Sequence, residues 1–459
     1  MNYYSTNKKA PIATLEKAVV KGLAEDKGLY MPERIKPLPQ SFFDNIDKLS
    51  FQEIAYQVAD AFFGEDVDAE SLKAIVYDTL QFDCPVAKVT DNIYTLELFH
   101  GPTLAFKDVG ARFMARLLQY FLKKEGKLDK NNQVNVLVAT SGDTGSAVAN
   151  GFLGVEGIHV YVLYPKGKVS PIQECQFTTL GQNITALEVD GVFDDCQALV
   201  KSAFMDAELN AHMKLTSANS INVARFLPQA FYYFNAYARM KEMGKLISNP
   251  SPLTSNPSPL TSNLSPLTSN LVMCVPSGNF GNICSALFGK RMGLPVKRFI
   301  AANNANDIFY KYLQTGEYNP KPSVQTIANA MDVGDPSNFA RIYDLYKADH
   351  EAICADISGA TYKNEEIAET MRQCYSETGY VLDPHGACGY QALKDLLQPD
   401  EVGVFCETAH PAKFKDTVDG ILSSDIEIPA KLQAFMKGEK QSIQMTRDFA
   451  DFKQFLLNE

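Results

Sequence analysis

From residue 134 onward the chain repeats one pattern that leaves few folds open. Short apolar runs rich in β-branched residues, at 134–139, 160–163, 184–189, 272–275, 299–302 and 402–406, alternate with longer amphipathic stretches. Strands separated by helical stretches pair in parallel through crossovers, so the pattern predicts an α/β fold built on parallel sheet. In such sheets ligands gather where strand ends turn into helices. With 459 residues, 46% of them hydrophobic, the chain exceeds what one core needs, and two or three domains are expected. Residues 1–95 read instead as a mainly helical N-terminal domain, ahead of the region 96–459. Its clearest element follows Ser50, where Ser50 and Glu53 form a capping box before Ile54, Val58 and Phe62, and Gly64 ends the helix.

One segment departs from both patterns. Residues 248–270 read SNPSPLT twice, then SNLSPLT and SN. The period of seven is no coiled-coil heptad, because every unit carries proline, which removes backbone donors. It predicts an extended, exposed loop between a helix ending near Lys245 and a strand at Leu271. Deleting 250–269 is then expected to leave turnover unchanged.

Charge limits the partners. Lys and Arg total 43 against 54 Asp and Glu, a net charge of −11, which argues against nucleic acid or an anionic membrane as main partner. An anion site must be local. The nine cysteines have no paired C-x-x-C spacing and read as reduced, mostly buried thiols. No apolar signal core opens the chain and no run is long enough for a membrane helix, so a cytoplasmic protein is expected.

Five polar loops follow the apolar runs or precede helices. HGPTLAFKD, residues 100–108, places Lys107 in an apolar stretch before a helix over 109–122. Partial burial lowers a lysine's pKa from about 10.4 and makes the amine a nucleophile toward an aldehyde, although the same pattern also fits a lysine snorkelling at a helix start. Asp108 reads as a helix N-terminal acid. TSGDTG, residues 140–145, opens a helix whose first amides suit an anion, with the Ser141 and Thr144 hydroxyls beside them; simple capping by Asp143 is the alternative. PSGNFGN, residues 276–282, lies between a strand and a helix, and Gly278 and Gly281 allow backbone donors to approach a phosphate. SANSINVAR, residues 217–225, gathers Ser220, Asn222 and Arg225, suited to a dianionic phosphate or to an ordinary cap. ETAHPAKF, residues 407–414, enters another helix. No G-x-G-x-x-G, Walker loop or H-E-x-x-H occurs, which lowers nicotinamide, nucleoside-triphosphate and metal readings. The set points to a cofactor that itself carries phosphate.

HGPTLAFKD, ATSGDTGSA, SANSIN with its following Arg, VPSGNFGN and TAHPAKF occur in this order across nearly the whole chain, and the chain resembles the threonine synthases. The resemblance implies two parallel-sheet α/β domains around a pyridoxal 5'-phosphate site (fold type II) with an added N-terminal domain. It implies that Lys107 carries the cofactor as a Schiff base, that Gly278, Asn279, Phe280 and Gly281 line the cofactor phosphate, that Asp143 faces the 3-oxygen and that Thr408 faces the ring nitrogen. Ser141 and Thr144 would hold the substrate carboxylate, and Ser220, Asn222 and Arg225 the substrate phosphate. The implied reaction turns O-phospho-L-homoserine and water into L-threonine and phosphate, the last step of threonine biosynthesis, in a monomer or homodimer. A phospho-lyase releasing 2-oxobutyrate, or a non-catalytic phosphometabolite-binding relative, would share much of this pattern. Glu407 stands where relatives often carry a small residue and would bring an extra negative charge toward the ring. Asp383 and His385 in LDPHGACGY are given no role.

Overall fold

Two sheets with helices on their faces organise the chain. The computed structural model describes residues 1–124, 126, 133–250 and 267–459. One sheet has five strands in the order Ile443–Met445, Ile184–Val189, Ile158–Pro165, Val134–Ala139, Lys214–Ser217, all parallel. The other has six, in the order Ile357–Thr361, Arg298–Asn303, Leu271–Pro276, Val402–Glu407, Ile93–Glu97, Val86–Lys88, with only the edge strand Val86–Lys88 antiparallel. The central strands Val134–Ala139, Leu271–Pro276 and Val402–Glu407 are buried at every residue, as strands covered on both faces must be. These are the runs that sequence periodicity picks out.

The N-terminal region is less helical than its composition implies. Asn2–Ser5 pairs antiparallel with Ala13–Thr14 and with Tyr30–Pro32 in a small three-stranded sheet. Helices Phe51–Phe63 and Ala69–Thr79 follow, and the first carries the expected capping box and ends at Gly64. Ser50 Oγ accepts from the Glu53 amide at 3.3 Å while Glu53 returns a bond to the Ser50 amide at 2.8 Å. The expected boundary near residue 95 falls inside strand Ile93–Glu97, which pairs with Val402–Glu407.

Helix Ala230–Glu242 (AFYYFNAYARMKE) is buried on almost every face. It has no amphipathic stripe because it lies in the middle of the molecule, where the Tyr232 and Tyr233 hydroxyls both donate to Asn282 Oδ1. Asn282 stands in the first turn of helix Gly281–Arg291, so this aromatic helix supports the PSGNFGN loop from below. All nine cysteines are free thiols, seven of them buried.

The ends of the heptapeptide insert pair with each other, Ser248–Pro250 against Leu267–Ser269, antiparallel; the expectation of an exposed loop over 251–266 lies outside the described residues. Ser269 is 5% exposed, donates to the Pro295 carbonyl and accepts from the Leu271 amide. A deletion reaching residue 269 would therefore damage the strand edge. Replacing 251–266 with a two-residue turn is expected instead to keep turnover within about twofold, as loop-closure costs change slowly with length. An activity assay showing a severe loss would assign the insert a role.

Candidate active site

Four loops that leave strand ends of the two sheets are linked to one another by side-chain bonds. TSGDTG follows Val134–Ala139 and SANSIN follows Lys214–Ser217 in one sheet; PSGNFGN follows Leu271–Pro276 and TAHPAKF follows Val402–Glu407 in the other. HGPTLAFKD joins them through a short antiparallel contact. Ala105 bridges Ala409, the Phe106 amide donates to the Thr408 carbonyl at 2.9 Å, and the His410 amide donates to the Leu104 carbonyl at 3.0 Å. Leu104 takes the left-handed conformation, φ 56°, to make that turn. The contact sets Lys107 next to Thr408.

Lys107 opens helix Lys107–Lys124, two residues earlier than its apolar periodicity starts, because Asp108 turns back on the loop. Asp108 accepts from the Thr103 amide at 2.9 Å and the Thr103 hydroxyl at 2.5 Å. The Lys107 carbonyl accepts from Arg225 Nη1 at 3.1 Å, and its Nζ lies 4.5 Å from the centre of the Phe106 ring. The amine is lowered to about 8; burial is the main cause, Asp143 opposes it, and the positive charges of Lys413 and Arg225 reinforce it. This is the direction a nucleophilic lysine needs.

Asp143 begins helix Asp143–Phe152 and is buried. Burial would raise its carboxyl, but Lys413 and Lys107 hold it well below the usual carboxylate range. Its Oδ1 takes an ion pair from Lys413 at 2.6 Å and a hydrogen bond from Gln173 Nε2 at 2.9 Å. Asp143 does not cap its helix; Thr140 does that work, its hydroxyl accepting from the amides of Gly142 at 2.9 Å and Gly145 at 2.8 Å. The amides of Ser141, Asp143 and Thr144 donate to no acceptor among the described residues, and the half-buried Ser141 and Thr144 hydroxyls are likewise unbonded there.

The PSGNFGN loop has the clearest anion geometry. The amides of Gly278, Asn279, Phe280, Gly281 and Asn282 donate to no acceptor among the described residues, and Phe280 adopts φ 62°, which turns successive amides inward at a helix start. The segment after residue 328 holds the loop down. A Cβ on Gly278 would lie 2.7 Å from the Ala330 carbonyl oxygen, so only glycine fits. The Ser337 amide donates to Asn279 Oδ1 at 2.7 Å, and Asn338 Nδ2 donates to the Asn279 carbonyl at 2.9 Å. A phosphate fits five unbonded amides, and the unbonded hydroxyl of Thr408 faces no competing partner among the described residues; the residues present therefore suit pyridoxal phosphate.

The expected substrate-phosphate cluster is only partly available. Asn222 is fully buried and spends its side chain on the fold: it caps helix Val223–Phe226 through the Ala224 amide at 3.0 Å and donates to the carbonyls of Val19 at 2.9 Å and Ser217 at 3.2 Å. It is a cap, not a free ligand. Arg225 is 2% exposed and donates to the carbonyls of Ala218 and Lys107, with no carboxylate bonded to it among the described residues. Ser220 accepts from the side-chain amides of Asn279 and Asn338, both at 3.0 Å, linking SANSIN to PSGNFGN.

Several residues that sequence reasoning passed over belong here. Arg341 is fully buried and donates to the carbonyls of Tyr30, Ser220 and Ile221 and to Asn338 Oδ1, so it ties the N-terminal sheet to the SANSIN loop. Its motif, FARIYDL, gives no local signal of that role. Glu407 packs against the start of helix Pro384–Leu396. It is fully buried, and burial together with the neighbouring Asp383 pushes its carboxyl well above the usual carboxylate range. Glu407 Oε1 accepts from the Asp383 amide at 2.5 Å. Asp383 in turn bonds His385 Nδ1 at 2.5 Å, and His385 Nε2 accepts from the Ala330 amide at 3.1 Å, beneath Gly278.

Comparison with known proteins identifies the family. The family model for pyridoxal-phosphate dependent enzymes matches residues 85–405, that for the threonine synthase N terminus residues 2–80, and that for the threonine synthase C-terminal region residues 386–456. The chain is 41% identical over 457 residues to threonine synthase of Haemophilus influenzae, covering 100% of both chains, and 35% identical to that of Saccharomyces cerevisiae, covering 92% of this chain and 89% of the relative. Among solved structures, threonine synthase from Escherichia coli aligns with a TM-score of 0.87 at 39% identity over 100% of both chains. Pyridoxal-phosphate-bound threonine synthase from Brucella melitensis aligns with 0.87 at 32% identity, over 100% of this chain and 99% of that one. Full-length identity at this level shows that the chain belongs to the threonine synthase family of pyridoxal-phosphate-dependent enzymes.

Proposed function

We propose that this chain converts O-phospho-L-homoserine and water into L-threonine and inorganic phosphate, in the cytoplasm, with Lys107 as the residue that carries the cofactor. The observation that carries the reading is a turn of five unbonded amides at 278–282, joined to the SANSIN loop through Asn279 and Ser220, together with unbonded amides at 141–144 around Asp143, which acts on a lysine amine lowered to about 8. The residues Gly278, Asn279, Phe280 and Gly281 would hold the cofactor phosphate through their unbonded amides, and the Thr408 hydroxyl would serve its ring nitrogen. Pyridoxal phosphate, when bound, supplies an electron sink for charge developing on the substrate carbons.

The other steps fall to the chain itself. The Ser141 and Thr144 hydroxyls and the free amides around them orient the substrate carboxylate. Asp143, held ionised by Lys413 and Lys107, would serve the cofactor's 3-oxygen as a hydrogen-bond acceptor. Arg225, a buried cation without a bonded carboxylate among the described residues, draws the substrate phosphate with Ser220. Lys107, its amine lowered to about 8 and so able both to give and to take a proton near neutral pH, would move protons at Cα and Cβ. No helix among the described residues is long and apolar enough to cross a membrane.

Product identification tests the proposal. Purified protein given O-phospho-L-homoserine should release L-threonine and phosphate in equal amounts. Release of 2-oxobutyrate in place of threonine would make the protein a phospho-lyase, and no turnover would make it a binding relative.

A further inference from the structure

One buried cation among these loops has no place in the reading above. Lys413 lies in the short helical turn Pro411–Phe414, and its side chain is fully buried. Its Nζ donates to Asp143 Oδ1 at 2.6 Å and to the Thr103 carbonyl at 2.9 Å. Its own carbonyl accepts from the Ser170 hydroxyl at 3.1 Å. Ser170 caps helix Pro171–Thr178, which carries Gln173, the second donor to Asp143. Lys413 thus joins the HGPT turn, the TSGDTG loop and that helix at a single carboxylate oxygen. Stability is a weak reason for such a pair, because desolvating two charges costs about as much as their attraction returns.

The charged groups that bear on the Lys107 amine are Asp143, Lys413, Arg225 and Asp383. If Asp143 stood alone it would be a near counter-charge for Lys107 and would favour the ammonium form. With Lys413 in contact, the carboxylate already has its cation. We propose that Lys413 is a positioning residue that fixes the Asp143 carboxylate and takes up its charge, so that Asp143 does not hold the Lys107 amine in its ammonium form. The lowered Lys107 amine agrees with this, since Lys413 acts on it against Asp143. The proposal rests on Lys107 being the cofactor's anchor.

The test uses the full-length chain freed of cofactor, mixed with pyridoxal phosphate, with the absorbance of the lysine-bound cofactor followed over time at a series of pH values. Lys413→Met should move the midpoint of the rate profile up by about one unit and slow the reaction at neutral pH about tenfold. Lys413→Arg keeps the charge and should stay near wild type. Asp143→Asn, which deletes the carboxylate and keeps Lys413, should move the midpoint down, and Lys413→Met with Asp143→Asn should bring it back to the wild-type value or below. A mere packing role would displace the single and double variants alike, and that result, or an unmoved midpoint in Lys413→Met, overturns the proposal. If Lys413→Met fails to fold, an Asp143→Asn midpoint that is unchanged or raised overturns it equally. Lys107→Ala separates the underlying reading: should that variant still form the band, the anchor assignment fails whatever the Lys413 variants show.

Discussion

Lys107→Ala is expected to lose the absorbance of lysine-bound pyridoxal phosphate and to form threonine at least about 10²–10⁴-fold more slowly, the range typical for removing a positioned proton-transfer group, with the loss of covalent anchoring added to it. The structure separates this from a folding defect. Lys107 contributes its carbonyl to Arg225 and its helix-starting position to the fold, and alanine keeps both. The amide cradle at 278–282 is untouched, so the variant should still retain pyridoxal phosphate non-covalently, measurable by equilibrium dialysis. Absorption spectra and a threonine assay at saturating cofactor check the prediction, and wild-type turnover in the variant would remove Lys107 from the chemistry.

Gly386→Ala should have the largest effect on stability. A Cβ there would lie 1.6 Å from Glu407 Oε2 and 2.5 Å from its carboxyl carbon. Glu407 is fully buried and already holds the Asp383 amide, so it has nowhere to withdraw. Overpacking of this kind costs about 1–3 kcal/mol, and an orphaned Asp383 amide adds about 1–3 kcal/mol more. Because helix Pro384–Leu396 begins two residues earlier, with Asp383 and His385 beneath the Gly278 loop, cofactor retention should weaken as well. Adding Glu407→Ala should recover part of the lost stability, since the two changes share one clash. Denaturant midpoints of the single and double variants measure this, and strictly additive losses would show that Glu407 is not the obstacle.

Local signals and long-range ones separated cleanly along this chain. The capping box at Ser50, the buried strands at 134–139, 271–276 and 402–407, and the glycine-bearing turns at their ends all follow from neighbours within a few residues, and all are where periodicity puts them. Strand Ile357–Thr361 was not legible, because ISGAT interrupts its apolar run with serine and glycine and is ordered by pairing with Arg298–Asn303. Strand Ile443–Met445 escaped for a similar reason: two of its three residues are exposed, and it exists as an edge partner of Ile184–Val189.

The site divides in the same way. The sequence by itself determined which residue types stand at the strand ends, and with them the family, since a lysine before a helix and an SGNFG turn are local features of the chain. Only the tertiary structure decided what those side chains do. It made Asn222 a cap, gave Asp143 to Lys413, and buried Glu407 against the Asp383 amide. The physical reason is that burial and charge pairing set protonation and availability, and both depend on groups brought together from distant parts of the chain.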